Sequence, residues 1–319
     1  MFRLFRSKPK PAASSPAGAT VAYSSELVDP RIMEQIGGLE LLSRTVVDGL
    51  LAGKHKSTTK GGCCEFAQHR QYASGDEIRQ IDWQVFARND KYFIRQFEEE
   101  TNLHAVMALD TSGSMKFRLS TVSKLEHAQR AAACLSRLLL RQRDAVGTAI
   151  LHDSKPYFLP PKQHAAHLKA ILSTLLGAAP SSGGSLAMQI RAMIPRMQRR
   201  GLFVLFSDCF GNLDDLATSL RIVRARGHDV IVMHVLAPEE LHFDFRHWST
   251  FQSLEAADHR MSLDPAAIRD VYLKRMRAFL EQLQDIVTSL GGDYVRLVTN
   301  HDLSESLSWF LRQRAARGK

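Results

Sequence analysis

From residue 103 onward, apolar runs of strand length alternate with stretches that repeat apolar residues every three or four positions. The first pattern is typical of buried strands and the second of amphipathic helices. Strands are predicted over 103–110, 145–151, 201–208, 228–236 and 293–299. Helices are predicted over 121–144, 163–177, 185–200, 212–227, 265–292 and 302–314, with Pro195 kinking or shifting the third. This alternation predicts an α/β fold with a doubly wound, mostly parallel sheet covered by helices on both faces.

The chain before residue 103 has a different pattern. Helical spacing over 30–53 predicts one long helix, whereas 63–100 consists of short polar and aromatic pieces separated by turns. These two segments predict a small N-terminal β/α subdomain, and the alternation over 251–265 predicts a hairpin. The expected organisation is a disordered basic and Pro/Ala/Ser-rich tail (1–28), a helix and subdomain (29–100), an α/β domain (101–314) and a basic tail (315–319).

Composition and charge narrow the function class. The chain has 319 residues, is 45% hydrophobic and carries a net charge of +9. Eight of its cationic residues lie close to the two ends: Arg3, Arg6, Lys8, Lys10, Arg312, Arg314, Arg317 and Lys319. A body near neutrality argues against specific nucleic-acid binding, because nucleic-acid readers carry their basic patch on a folded face.

Compartment signals are also read from the sequence. No apolar run approaches the roughly 20 residues that span a bilayer, and no signal-peptide core follows the basic start, so a cytoplasmic location is expected. The spacing of Cys63, Cys64, Cys134 and Cys209 is not that of a zinc site or a disulfide framework. We expect all four cysteines to be reduced and structural.

Polar clusters directly follow strands or helices of the predicted fold at three places. Asp110, Ser112 and Ser114 follow the first strand, the loop 181–185 (SSGGS) opens a helix, and Asp208 follows the strand at 201–208. In doubly wound sheets the carboxyl ends of the strands share one edge, so these clusters can converge there. Carboxylates and hydroxyls suit a hard divalent cation such as Mg²⁺, Mn²⁺ or Ca²⁺, and the D-x-S-x-S spacing points alternate side chains at one spot.

Each cluster also has an ordinary structural interpretation. Asp110 and the two serines could form a turn and a helix N-cap, and Asp208 could cap the helix that follows it. The loop 181–185 could be a simple connection. The three clusters together, each at the expected place in the strand order, favour the metal site over three unrelated loops.

Two stretches resemble known families. The sequence LDTSGSM (109–115) resembles the start of a metal-ion-dependent adhesion site in a von Willebrand factor A-like domain. Residues 65–100 resemble the hallmark segment of the bacterial "domain of unknown function 58" family, and the resemblance extends over about residues 40–315. The residues that carry it are Arg70, Tyr72, Gly75, Asp76, Arg79, Ile81, Asp82, Trp83, Ala87, Arg88, Arg95 and Glu98.

The resemblance implies a ligand set and a partner. The implied metal ligands are Asp110, Ser112, Ser114, Ser185 and Asp208. Ser185 stands where related domains usually have a threonine, and Ser182 is the rival for that position. The implied function is a non-enzymatic, divalent-metal-dependent protein-interaction module. It would serve as an adaptor or co-chaperone of a MoxR-type AAA+ ATPase, with a client's Glu or Asp completing the metal site. The charged hallmark segment is expected to form a half-buried ion-pair network.

Two other functions remain open on the sequence. A metal-dependent hydrolase would need a general base, and His152, His164 and His167 are the nearest histidines in the order of elements, none with an evident activating partner. Alternatively, the basic ends could attach the chain to nucleic acid or to a membrane surface.

Overall fold

A computed structural model describes the α/β domain and parts of the N-terminal region. The residues it describes are 2–4, 30–52, 65–71, 83–89, 92–98, 103–119, 121–152, 156–181, 184–245, 249–253, 260–263 and 265–317. Among these residues, no helix combines the length and the apolar character that crossing a bilayer requires.

The centre of the described structure is a six-stranded sheet in the order β11-β8-β7-β4-β5-β6. All neighbouring pairs are parallel except β5 and β6, which are antiparallel. The strands are β4 (His104–Asp110), β5 (Ala145–Leu151), β6 (Tyr157–Lys162), β7 (Gly201–Ser207), β8 (Asp229–Leu236) and β11 (Asp293–Val298). The expected doubly wound, mostly parallel sheet is confirmed.

Helices cover both faces of this sheet. The helices of the described part of the chain are α1 (Pro30–Ala52), α2 (Trp83–Asn89), α3 (Lys124–Arg141), α4 (His167–Leu176), α5 (Leu186–Met193), α6 (Leu213–Ala225), α7 (Pro238–His242), α8 (Pro265–Ser289) and α9 (Leu303–Arg317). Alternate residues of β4 point to opposite faces. Met107 and Leu109 pack with α1, α3, α4 and α9, whereas Val106 and Ala108 pack with α5, α6 and α8.

The strand order places a topological switch point between β4 and β7. From β4 the chain moves to β5 and β6 on one side, whereas β7, β8 and β11 extend the sheet on the other. The register pairs Leu109 with Phe206, so Asp110 and Ser207 lie next to each other at the carboxyl edge. Crevices at such switch points are where open α/β sheets bind ligands.

Strand β6 was not expected from the sequence, because Pro160 and Pro161 lie within it. Proline is tolerated there because, among the described strands, β6 lies at the edge of the sheet. Its register with β5 shifts at Gly147, where a Cβ atom would lie 2.5 Å from the Leu159 carbonyl oxygen and 2.7 Å from the Pro161 nitrogen. Only glycine allows the two strands to approach this closely.

Two local features of the α/β domain agree with the sequence. Helix α5 ends at Met193 and a 3₁₀ turn, Ile194–Arg196, takes up the proline at 195. Strands β9 (Ser249–Ser253) and β10 (Arg260–Leu263) form the expected antiparallel hairpin.

The N-terminal region differs from expectation at one place. Within the predicted disordered tail, β1 (Phe2–Leu4) pairs antiparallel with β9. Its F-R-L sequence has the period-two alternation of a strand, which the short length concealed. Strands β2 (Glu65–Gln71) and β3 (Phe93–Glu98) form a separate antiparallel pair, with α2 between them in the chain. The predicted domain boundaries remain a prediction.

Candidate metal site at the carboxyl edge

Asp110 is the last residue of β4 and its carboxylate is fixed from two sides. Its side chain is buried, with 3% of the residue exposed. The Ser112 backbone N–H donates to Oδ1 at 2.8 Å, and the Ser207 hydroxyl donates to Oδ2 at 2.5 Å. The Ser207 hydroxyl oxygen in turn accepts from the Cys209 N–H at 2.8 Å. Ser207 therefore links the loops after β4 and β7, a role that the sequence did not reveal.

Ser112 and Ser114 bring their hydroxyl groups together beside Asp110. A 3₁₀ turn, Gly113–Lys116, begins between them, and the two Oγ atoms lie 3.1 Å apart. Two oxygens on adjacent vertices of an Mg²⁺ octahedron, each near 2.0–2.1 Å from the ion, are separated by roughly 3 Å. The observed spacing therefore fits a shared hard cation as well as the hydrogen bond that joins the hydroxyls.

Asp208 is held in the loop after β7. It is buried, with 1% exposed, and its Oδ1 accepts from the Phe210 N–H at 3.2 Å. Cys209 beside it has a left-handed backbone (φ 54°), which turns the chain sharply after the strand. Burial raises the pKa of the Cys209 thiol, so this residue stays a neutral thiol and its role is structural.

His234 supports the same loop from β8. Its Nε2 lies 2.9 Å from the Asp208 carbonyl oxygen and its Nδ1 lies 2.8 Å from the Tyr294 hydroxyl. Burial lowers the pKa of His234 to about 4, so the imidazole is neutral. Nε2–H then donates to the carbonyl and Nδ1 accepts from Tyr294. Both ring nitrogens are committed to holding the loop.

A buried lysine lies behind Asp208, and sequence reasoning missed it. Lys124 Nζ lies 2.5 Å from Asp208 Oδ2 and 2.8 Å from Glu240 Oε1, and all three side chains are at most 1% exposed. Glu240 also accepts from the Ala237 N–H at 2.8 Å. The ammonium lies 5.0 Å from the centre of the Phe210 ring. A charge this deeply buried is tolerated only because it is paired and hydrogen-bonded.

The electrostatics of this edge favour a cation. Asp208 and Glu240 share the Lys124 ammonium, whereas Asp110 faces the negative charge of Asp208. Burial, and next the charge of Asp208, raise the pKa of Asp110 to about 6, against the opposing hydrogen bonds from Ser207 and Ser112. Protein groups therefore stabilise the negative charge of Asp110 only in part, as expected of a carboxylate that binds a cation.

The second loop is only partly described. The Ser181 N–H donates to the Thr111 carbonyl oxygen at 2.7 Å, which joins the second loop to the first. Ser182 lies outside the described residues. Ser185 is the N-cap of α5; it is exposed and makes no side-chain cap hydrogen bond. Its assignment as a metal ligand stays a prediction.

The wider donor set determines what kind of metal site is possible. Within the described part of the chain, no group of three or more His, Cys, Asp or Glu side chains could hold a metal ion. A site at this edge must therefore use serine hydroxyls beside Asp110 and Asp208, a set of hard oxygens that suits Mg²⁺.

The three histidines considered as bases are separated by the fold. His152 follows β5 directly and is exposed at the same edge as Asp110. His164 and His167 come after β6, which runs antiparallel to β5, so they lie at the opposite edge. The side chains of Arg70, Asp76, Arg79, Asp82 and Arg95 lie outside the part of the chain whose side chains are described, and the ion-pair network expected there remains a prediction.

The chain is similar to several known proteins. An uncharacterized protein of Mycobacterium tuberculosis, Rv1480, is 27% identical over 293 residues, which cover 91% of this chain and 92% of that protein. Among solved structures, a conserved hypothetical protein, BatB from Bacteroides thetaiotaomicron, is 18% identical with a TM-score of 0.42, over 67% of this chain and 99% of that one. The von Willebrand factor A domain of SpRpn10 is 10% identical with a TM-score of 0.38, over 65% and 94% of the two chains.

Membership is decided by the family model, which covers both the hallmark segment and the carboxyl-edge site. Residues 68–280 match the family described as "Protein of unknown function DUF58". The match includes Asp110, Ser112, Ser114, Ser185 and Asp208. The chain, an α/β protein with a mostly parallel six-stranded sheet, belongs to the DUF58 family.

Proposed function

We propose that this protein is a non-enzymatic protein-interaction module whose binding face is completed by a divalent cation. The observation that carries the proposal is the cluster at the switch point of the sheet. There the Ser112 and Ser114 hydroxyls lie 3.1 Å apart beside the buried, incompletely compensated carboxylate of Asp110. A bound Mg²⁺ would supply an open coordination position for a carboxylate oxygen of another protein.

The residues around the site favour binding over catalysis. The Ser207 hydroxyl donates to Asp110 and accepts from a backbone N–H, so it is committed to holding two loops together. Cys209 is held as a neutral thiol, and His234 uses both ring nitrogens for structural hydrogen bonds. A nucleophile requires a general base within hydrogen-bond reach, and these groups hold each other in a static arrangement instead.

The partner is proposed from the family resemblance. The module would act as an adaptor or co-chaperone of a MoxR-type AAA+ ATPase in the cytoplasm, and a Glu or Asp of the ATPase or its client would reach the cation. A contact of this type combines a metal–carboxylate bond with shape matching around it, so it disappears when the cation is removed.

The test is a pull-down of the purified MoxR-type ATPase of the same organism by the immobilised full chain. We expect binding in Mg²⁺, loss of binding in EDTA, and loss in Asp110→Ala. Asp214→Ala is the matched control, because Asp214 is an exposed carboxylate in the first turn of α6. Binding that is equal in EDTA and in Mg²⁺ would contradict the metal-bridged mechanism, and no binding in any condition would contradict the partner.

A further inference from the structure

The proposed function does not explain why Lys124 is buried at the carboxyl edge. It begins α3, a position that is usually solvated, yet its side chain has no exposed surface. Its ammonium reaches Asp208 at 2.5 Å in the loop after β7 and Glu240 at 2.8 Å in α7. Both carboxylates accept a hydrogen bond from the ammonium, so the cationic side chain is paired on two sides.

The Lys124 ammonium is bound to Asp208, a carboxylate that the divalent cation would also bind. Asp208 Oδ2 accepts from Lys124, and Oδ1 accepts from the Phe210 N–H. Both oxygens of Asp208 are therefore already engaged by protein donors. Asp110, by contrast, receives no lysine or arginine among the described hydrogen bonds and ion pairs, and accepts only from Ser112 and Ser207.

The charges of this cluster also indicate that Lys124 and a divalent cation can be present together. With Asp110, Asp208 and Glu240 ionised, three negative charges and one ammonium leave a net charge of −2. One divalent cation neutralises that sum. Without the ammonium, a divalent cation would leave the buried cluster at −1, which is costly in a low-dielectric environment.

We propose that Lys124 is a built-in cation that sets the affinity of the metal site, an inference that rests on the proposed metal-dependent function. By holding Asp208, the ammonium leaves the direct ligand role to Asp110, Ser112 and Ser114. Glu240 also contributes, because it shares the ammonium and so limits how strongly Lys124 competes with the metal for Asp208. The site is thereby kept at a weak, reversible affinity that depends on a further carboxylate from the partner.

This role of Lys124 predicts that two variants change the affinity for Mn²⁺ in opposite directions. In Glu240→Gln the ammonium is left to Asp208, so Mn²⁺ should bind about three- to tenfold more weakly. In Lys124→Met/Glu240→Gln one positive and one negative charge are removed together, and Asp208 is released. Mn²⁺ should then bind about tenfold more tightly, as expected when a carboxylate leaves a charge-assisted hydrogen bond.

The experiment is isothermal titration calorimetry of Mn²⁺ into the full-length wild type and the variants. The matched control is Arg130→Met/Glu126→Gln, because it removes a half-buried ion pair (2.6 Å) of the same helix and the same charges. Its affinity should equal that of the wild type. Thermal melts in EDTA verify folding; if the double variant does not fold, the sign of the change in Glu240→Gln decides, and unchanged or tighter binding overturns the proposal.

The outcomes separate this inference from the proposed function. Opposite shifts in the two variants support both. Wild-type binding with unchanged or weaker binding in the double variant overturns the role of Lys124 and leaves the proposed function standing. Binding only by the double variant supports Lys124 as the occupant of the cation's place and overturns the proposed function. No Mn²⁺ binding by any protein overturns both.

Discussion

Replacing Asp110 by Asn should stabilise the metal-free protein. The pKa of Asp110 is about 6 in the folded state against an ordinary value of 3.8, raised first by burial and then by Asp208. The folded state therefore holds its proton more tightly than the unfolded chain, and stability falls as pH rises from 3.8 through 6. The full loss corresponds to about 3 kcal/mol above pH 7. Asn cannot ionise, so Asp110→Asn avoids this loss.

The magnitude is reduced by what Asn does less well. Its amide oxygen can still accept from the Ser112 N–H, and its amide N–H can donate to the Ser207 oxygen, so the two hydrogen bonds seen at Asp110 have neutral replacements. Neutral hydrogen bonds are weaker than those to a carboxylate by about 1 kcal/mol. We therefore expect Asp110→Asn to be more stable than wild type by about 2 kcal/mol at pH 7.5 in EDTA.

The assay is urea unfolding in EDTA from pH 3.5 to 7.5, followed by circular dichroism. Other groups titrate in this window: the pKa of Asp144 is raised to about 6 by burial, and burial lowers those of His127 and His234 to about 4. Their contributions are common to both proteins and cancel in the difference. The advantage of the variant should grow between pH 4 and 7, and 10 mM Mg²⁺ should stabilise only the wild type. A difference that is independent of pH, or a variant less stable at pH 7.5, would refute the reasoning.

Three further substitutions test the packing of the site by urea unfolding in EDTA. Lys124→Met leaves two buried carboxylates without their cation and should cost about 3–5 kcal/mol, whereas Lys116→Met, at an exposed position, should change stability by less than about 0.5 kcal/mol. Ser207→Ala removes the hydroxyl that joins the loops after β4 and β7 and should cost about 1–3 kcal/mol. Gly147→Val should cost about 2 kcal/mol or more, because β6 must move away, whereas Gly38→Ala has open space in α1 and should stabilise by about 0.5–1 kcal/mol. Equal effects of Lys124→Met and Lys116→Met, equal effects of Gly147→Val and Gly38→Ala, or unchanged stability in Ser207→Ala would contradict the packing described.

The regular strands and helices could be predicted because the apolar residues in each segment match the face that the element buries. Strand β4 is a nearly unbroken apolar run, and α3 has apolar residues on one face of a helix, so burial and periodicity agree. Strand β6 could not be predicted in the same way, since two prolines are acceptable only at a sheet edge, and the edge is defined by the assembled sheet.

The site residues also differ in how far the local sequence predicts them. Asp110, Ser112 and Ser114 lie at alternate positions of one short segment, and Asp208 follows a recognisable strand. Parallel-sheet geometry was therefore sufficient to bring the two loops together. From the sequence alone, Lys124 would be predicted to be a solvent-exposed residue at the start of a helix. Its burial depends on Asp208, 84 residues away, and on Glu240, 116 residues away. No local pattern carries that information.

The most direct test of the central claim is an anomalous difference map of crystals of the full chain soaked in Mn²⁺. We predict one strong peak at the carboxyl edge, within direct coordination distance of the Ser112 and Ser114 hydroxyl oxygens and beside Asp110, with Lys124 still bound to Asp208. The same map would show whether Ser182 or Ser185 is the second-loop ligand. A clean map with no peak at this edge, or a peak only elsewhere on the surface, would contradict the account.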